Sequence, residues 1–73
     1  MLNKNEFVAA MKRFGDTGNV LSRYLGISRS TFSAKLNEKR GAEFTQGEIA
    51  MIRERYSLDA NSVVAIFFAD KVS

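Results

Sequence analysis

Three consecutive residues, Gly26, Ile27 and Ser28, constrain this chain more than any other stretch. An apolar pattern of helical period runs up to Leu25, and another begins at Arg29. Glycine adopts at little cost the left-handed conformation that ends a helix. Serine is a preferred N-cap. With a single residue between a stop and a cap, two short helices must meet at a turn of about three or four residues.

The flanking pattern is helical nearly throughout, and proline is absent. Phe7, Met11 and Phe14, with Ala10 beside them, make the apolar stripe of a first helix over about residues 4–14. Asn3 or Asn5 can cap it and Gly15 can end it. Thr17 caps a second helix over 18–25, with Val20, Leu21, Tyr24 and Leu25 as its apolar side. A third helix runs over 29–37 and turns Phe32 and Leu36 inward. The two helices and their glycine turn have the geometry of a helix-turn-helix. Residues 38–44 form a charged loop. Thr45 and Glu48 fit a capping box opening a fourth helix, about 46–55, with Ile49, Ile52 and Tyr56 facing the core. Val63, Val64, Ile66, Phe67 and Phe68 favour strands, so 62–68 reads as helix or strand; in so helical a chain, helix is preferred. The fold class is all-α, with five helices in one small domain of 73 residues.

The outward residues of the third helix are unusual. Arg29, Ser30, Thr31, Ser33, Ala34 and Lys35 are short hydroxyls, a methyl and a few cations, where a solvated helix would carry long polar side chains. Short side chains allow a backbone to approach a surface closely. The major groove of duplex DNA admits an α-helix on that condition. Arg29 is long enough to reach guanine O6 and N7 with its planar fork. Ser28 leaves amides free for a phosphate at the positive end of the helix dipole.

Charge distribution agrees with a polyanionic partner. Residues 12–40 hold seven basic side chains against two acidic ones, and residues 41–73 hold three against five. A basic first half and a mildly acidic second half suit one face for nucleic acid and another for a different contact. Other chemistries have little support. The sequence has no cysteine and no histidine, which excludes disulfides, thiolate sites and imidazole catalysis. Its carboxylates are scattered and it has no glycine-rich phosphate loop, so no enzyme and no cofactor are expected. No apolar run approaches the roughly 20 residues of a membrane span. The start of the chain does not read as a signal peptide, and a cytoplasmic location is the expectation.

The stretch TGNVLSRYLGISRSTFSAKLNEKR resembles the helix-turn-helix of the lambda-repressor-like, Cro/XRE-type DNA-binding proteins. Thr17, Leu21, Leu25, Gly26, Ile27, Ser28, Ser30, Thr31, Ser33 and Asn37 match that family's pattern. FTQGEIAMI is similar to its fourth helix, and the five-helix layout fits almost the whole chain. The size and the terminal IFF segment look most like small regulators of bacteriophages and prophages of Gram-positive bacteria.

The resemblance implies roles. Helix 29–37 would enter the major groove, with Arg29, Ser30 and Ser33 facing base edges and Ala34 against a thymine methyl. Thr31 would meet base or phosphate. Asn37, Lys39 and Arg40 would hold the DNA backbone. Thr17 and the first amides of the second helix, at Gly18 and beyond, would hold a phosphate, with Ser28 at the start of the third helix. Arg23 and Lys35 would add phosphate contacts. The chain departs from the family pattern at Gly18, where glutamine commonly braces a phosphate. It also departs at Ser22 for alanine, at Glu38 for the glycine of an Asn-Gly turn, and at Val20 for an acidic residue.

The apolar tail adds a second surface. Phe67 and Phe68 point about 100° apart on a helix, so one can pack inside while the other stays exposed. Val64, Phe67 and Phe68, within a 60–73 segment, are the expected dimer or partner contacts. A symmetric homodimer would match a palindromic operator. Two functions follow: a Cro-like repressor that occupies duplex DNA, or an anti-repressor that binds another phage repressor protein. The acidic second half, the tail, Gly18 and Glu38 lean towards the second.

Overall fold

The computed structural model describes residues 1–69. They form five α-helices and, among the described residues, no strand: α1 Lys4–Phe14, α2 Gly18–Leu25, α3 Arg29–Leu36, α4 Gln46–Tyr56 and α5 Ala60–Phe67. A short 3-10 turn, Lys39–Gly41, lies between α3 and α4. The radius of gyration is 11.3 Å, close to the roughly 11 Å of a compact chain this long.

Local chemistry sets each boundary. Asn3 caps α1 by accepting from the Glu6 amide. Helices α1 and α2 stop in the same way, on left-handed glycines with φ of 86° at Gly15 and 75° at Gly26. In each case the next amide reaches back to free carbonyls: Asp16 N–H to Met11 O and Ile27 N–H to Ser22 O. Thr17 caps α2, Ser28 caps α3, and the Thr45–Glu48 capping box opens α4. Asp59 caps α5 by accepting from the Ser62 amide at 2.7 Å. The segment 62–68 that could be read either way is therefore helical as far as Phe67, with Phe68 as the C-cap. Its buried side chains, Val63, Ile66 and Phe67, recur at helical spacing.

Four phenylalanines from four places in the chain form the centre of the core. Phe7 lies 6.2 Å from Phe32, 5.3 Å from Phe44 and 5.5 Å from Phe67, ring centroid to centroid. Phe44 also meets Phe32 and Phe67. Most pairs are edge-on, the arrangement ring quadrupoles favour. Leu21, Leu25, Ile52, Val63 and Ile66 fill the remaining space. Phe44 comes from the segment the sequence marks only as a charged loop, and its burial ties that loop down.

Two partly buried polar braces add to the apolar core. Asp16, between α1 and α2, accepts from Arg55 Nε at 2.7 Å, Arg55 Nη2 at 2.8 Å and the Tyr56 hydroxyl at 2.6 Å. Arg55 in turn lies over the rings of Phe14 and Tyr24. The second brace joins α3 to α4 through Lys35 and Glu48.

Several expectations need correction. Phe14 is 53% exposed and packs on Tyr56 and Arg55 rather than in the core. Val20 and Tyr24 are exposed, so α2 buries Leu21, Ser22 and Leu25 instead. Helix α3 ends at Leu36, with Asn37 as its C-cap. Helix α4 runs to Tyr56; Ile49 and Tyr56 do pack against the core, half-buried at its edge.

Candidate nucleic-acid interface

Phe32, fully buried, and half-buried Leu36 fasten α3 to the core. That attachment fixes which residues face out. Arg29, Ser30 and Thr31 are exposed, while Ser33 and Ala34 are half-buried. The outer face is thus low and polar, with Arg29 as its one long side chain in the first turn.

Arg29 does not wave freely. Its Nε donates to Asn19 Oδ1 at 3.1 Å, tying the start of α3 to the start of α2. Its guanidinium lies over Gly18. A Cβ on Gly18 would sit 2.9 Å from Arg29 Cζ, 3.1 Å from Nη1 and 3.2 Å from Nε. The missing side chain of Gly18 therefore leaves the space that Arg29 occupies. Around it, the Thr17 hydroxyl accepts from the Val20 amide, and the first turn of α2 holds no acidic residue. Thr17, Gly18, Asn19 and Arg29 form one cluster. Asn19 is invisible to sequence reasoning, because an asparagine at the second helical position carries no signal until α3 is folded against it.

The other sequence-predicted residues divide into three sets. Ser28 and Thr31 are partly engaged with each other: Ser28 Oγ accepts from the Thr31 amide and donates to the Thr31 hydroxyl oxygen at 2.8 Å. Asn37 donates to the Ser33 carbonyl and accepts from Lys4 Nζ at 2.6 Å. Lys4, absent from the expected set, thereby joins the end of α3; its distance in sequence hides it. Lys39, Arg40 and Arg23 are exposed and have no ion-pair partner among the described residues. Arg40 adopts φ 54° and Glu38 φ 52°, so the loop turns sharply there.

Lys35 is a correction. Its ammonium is committed to both oxygens of Glu48, at 2.7 and 2.8 Å, which removes it from the phosphate-binding set. Burial alone would raise the Glu48 carboxyl. Hydrogen bonds from Lys35 and then from the Thr45 amide outweigh that and hold it below the ordinary range. Phe67 is a second correction. It is only 7% exposed and packs against Phe7 and Phe44, so it belongs first to the core, whereas Val64 and Phe68, four residues apart, are 39% and 40% exposed. Residues 70–73 of the expected 60–73 contact segment lie outside the described residues.

Among the described residues no group of acidic, histidine or cysteine side chains could hold a metal ion. No described helix is long and apolar enough to cross a membrane. Comparison of the chain with protein families, with characterised proteins and with solved structures finds no match in any of the three.

Proposed function

We propose that this chain is a sequence-specific, duplex-DNA-binding regulator of the Cro/XRE helix-turn-helix type, with α3 as the element that enters the major groove. One observation carries the reading: a well-anchored helix presents Arg29, Ser30 and Thr31 on a low face, with no other long side chain in its first turn. Such a face lets a helix backbone approach base edges closely in the major groove. Arg29, Ser30 and Ser33 would read bases and Ala34 would meet a thymine methyl. Thr17 with the α2 amides, Arg23, Asn37, Lys39 and Arg40 would hold phosphates, and Lys4 joins that set. A homodimer on DNA would place two copies of α3 about 34 Å apart on a palindromic site.

Selection of bound sites from random duplexes, followed by binding at several salt concentrations, tests this. A selected consensus with salt-dependent affinity is expected. Arg29→Ala should lose about 1–3 kcal/mol of discrimination at one base pair. Uniform affinity for all duplexes would refute the reading.

A second reading has its own support. Val64 and Phe68 are exposed, and Phe68 lines an open groove of about 340 Å³ together with Leu2, Phe44 and Ile49 and the charged Lys35, Glu38 and Glu43. Exposed apolar surface of this kind favours a protein partner, such as another repressor. Co-elution with that repressor, with no duplex bound by the chain alone, would favour it over direct DNA reading.

A further inference from the structure

We infer that Gly18 and Asn19 are positioning residues that aim Arg29, and that the fork they leave free selects a guanine. This inference rests on the DNA-reading function proposed above.

An exposed arginine ordinarily samples many rotamers, and fixing one side chain costs conformational entropy. Here two features of α2 fix it. Asn19 Oδ1 takes the Nε proton. The closest approaches of the guanidinium to a Gly18 Cβ position are Cζ, Nη1 and Nε at nearly equal distance, so its plane lies flat over the glycine. The side-on pair, Nε with one terminal nitrogen, is thereby used up. The end-on pair, Nη1 and Nη2, has no hydrogen-bond partner among the described residues. That pair matches the O6 and N7 acceptors which only guanine presents side by side in the major groove.

Electrostatics does not account for this placement. The start of a helix carries partial positive charge and disfavours a cation. The first turn of α2 has no carboxylate to offset it. The guanidinium is held there by an acceptor and by a missing side chain, two features that give direction rather than stability.

The test uses the full chain in two arms. In the free protein, the Arg29 Nε–Hε NMR signal, identified by its loss in Arg29→Ala, should exchange slowly with water. It should broaden or vanish in Asn19→Ala and return in Asn19→Asp, which keeps the acceptor. In the DNA arm, the preferred site from random-duplex selection competes with its single-base-pair variants. Arg29→Ala should flatten the preference at one G·C pair by roughly tenfold or more. Asn19→Ala and Gly18→Ala should flatten the same pair and no other. Asn19→Asp should retain the preference. Gly18→Ala should do this with thermal stability unchanged or raised, because alanine suits a helix better and only the flexible end of Arg29 must move. In an Arg29→Ala background neither substitution should add anything.

Retention of the preference in both Asn19→Ala and Gly18→Ala, or effects additive with Arg29→Ala, would overturn the inference while DNA reading stands. An Nε–Hε signal indifferent to Asn19→Ala would overturn it in the free protein. A protected signal with no selected sequence would refute DNA reading, and the guanine assignment with it.

Discussion

Replacing Asp16 with asparagine removes one charge and should cost this domain much of its stability. The Asp16 side chain is 4% exposed and accepts three hydrogen bonds, two from Arg55 and one from Tyr56. Asparagine keeps one carbonyl acceptor but turns an NH2 group towards an arginine that can only donate. Breaking a buried ion pair by removing one partner costs about 3–5 kcal/mol. Arg55 keeps 21% of its side-chain surface in contact with solvent, so part of its hydration is recovered and about 2–3 kcal/mol is the better expectation. In a domain of this size that lowers the melting temperature by roughly 10–20 °C.

The pH dependence of this effect has a definite sign. Hydrogen bonding from Arg55 holds the Asp16 carboxyl below its ordinary range, against the opposing effect of burial, and Tyr56 adds to the lowering. A carboxyl whose folded pKa is depressed contributes in full above its unfolded value of about 3.9. That contribution is lost as pH falls through the folded value. The deficit of Asp16→Asn should therefore be largest at neutral pH and shrink towards about pH 2. Urea unfolding followed by circular dichroism at both pH values measures it. A deficit below about 1 kcal/mol at neutral pH, or one that does not change with pH, would refute the reasoning.

Phe44→Ala should cost about 3–5 kcal/mol, because three core rings lose their shared neighbour, and chemical denaturation should show a largely unfolded population in mild denaturant. Under the proposed DNA-reading function, Lys35→Met should lower stability by breaking the Glu48 pair yet leave the salt dependence of binding to duplex DNA unchanged. The double variant Lys39→Ala, Arg40→Ala should do the reverse, reducing the slope of log affinity against log salt by roughly 1 for each phosphate no longer neutralised. Equal slopes for the parent and the double variant would remove both residues from the set proposed to hold a DNA backbone.

Most of the framework is legible in the sequence, because it is written in local signals. Gly15 and Gly26 end helices through their own backbone freedom. Thr17, Ser28, Thr45 and Glu48 cap helices within three residues of themselves. The inward residues of α3, Phe32 and Leu36, follow from period alone. Period misleads where it counts apolar residues without knowing the neighbour. Phe14 continues the stripe of α1 but lies past the end of the core, where Arg55 covers it. Phe44 belongs to no periodic segment, yet the space among Phe7, Phe32 and Phe67 draws it in.

The candidate site divides along the same line. The sequence by itself determined that α3 carries a short polar outer face and that Arg29 opens it, since both depend on residues within one helical turn. Only the tertiary structure decided what the cations do. Lys35 is taken by Glu48 thirteen residues away, Lys4 reaches Asn37 across thirty-three, and Arg29 rests on Gly18 and Asn19. Long side chains on adjacent helices find partners by the packing of those helices. That packing is set by the shared core, which no local pattern encodes.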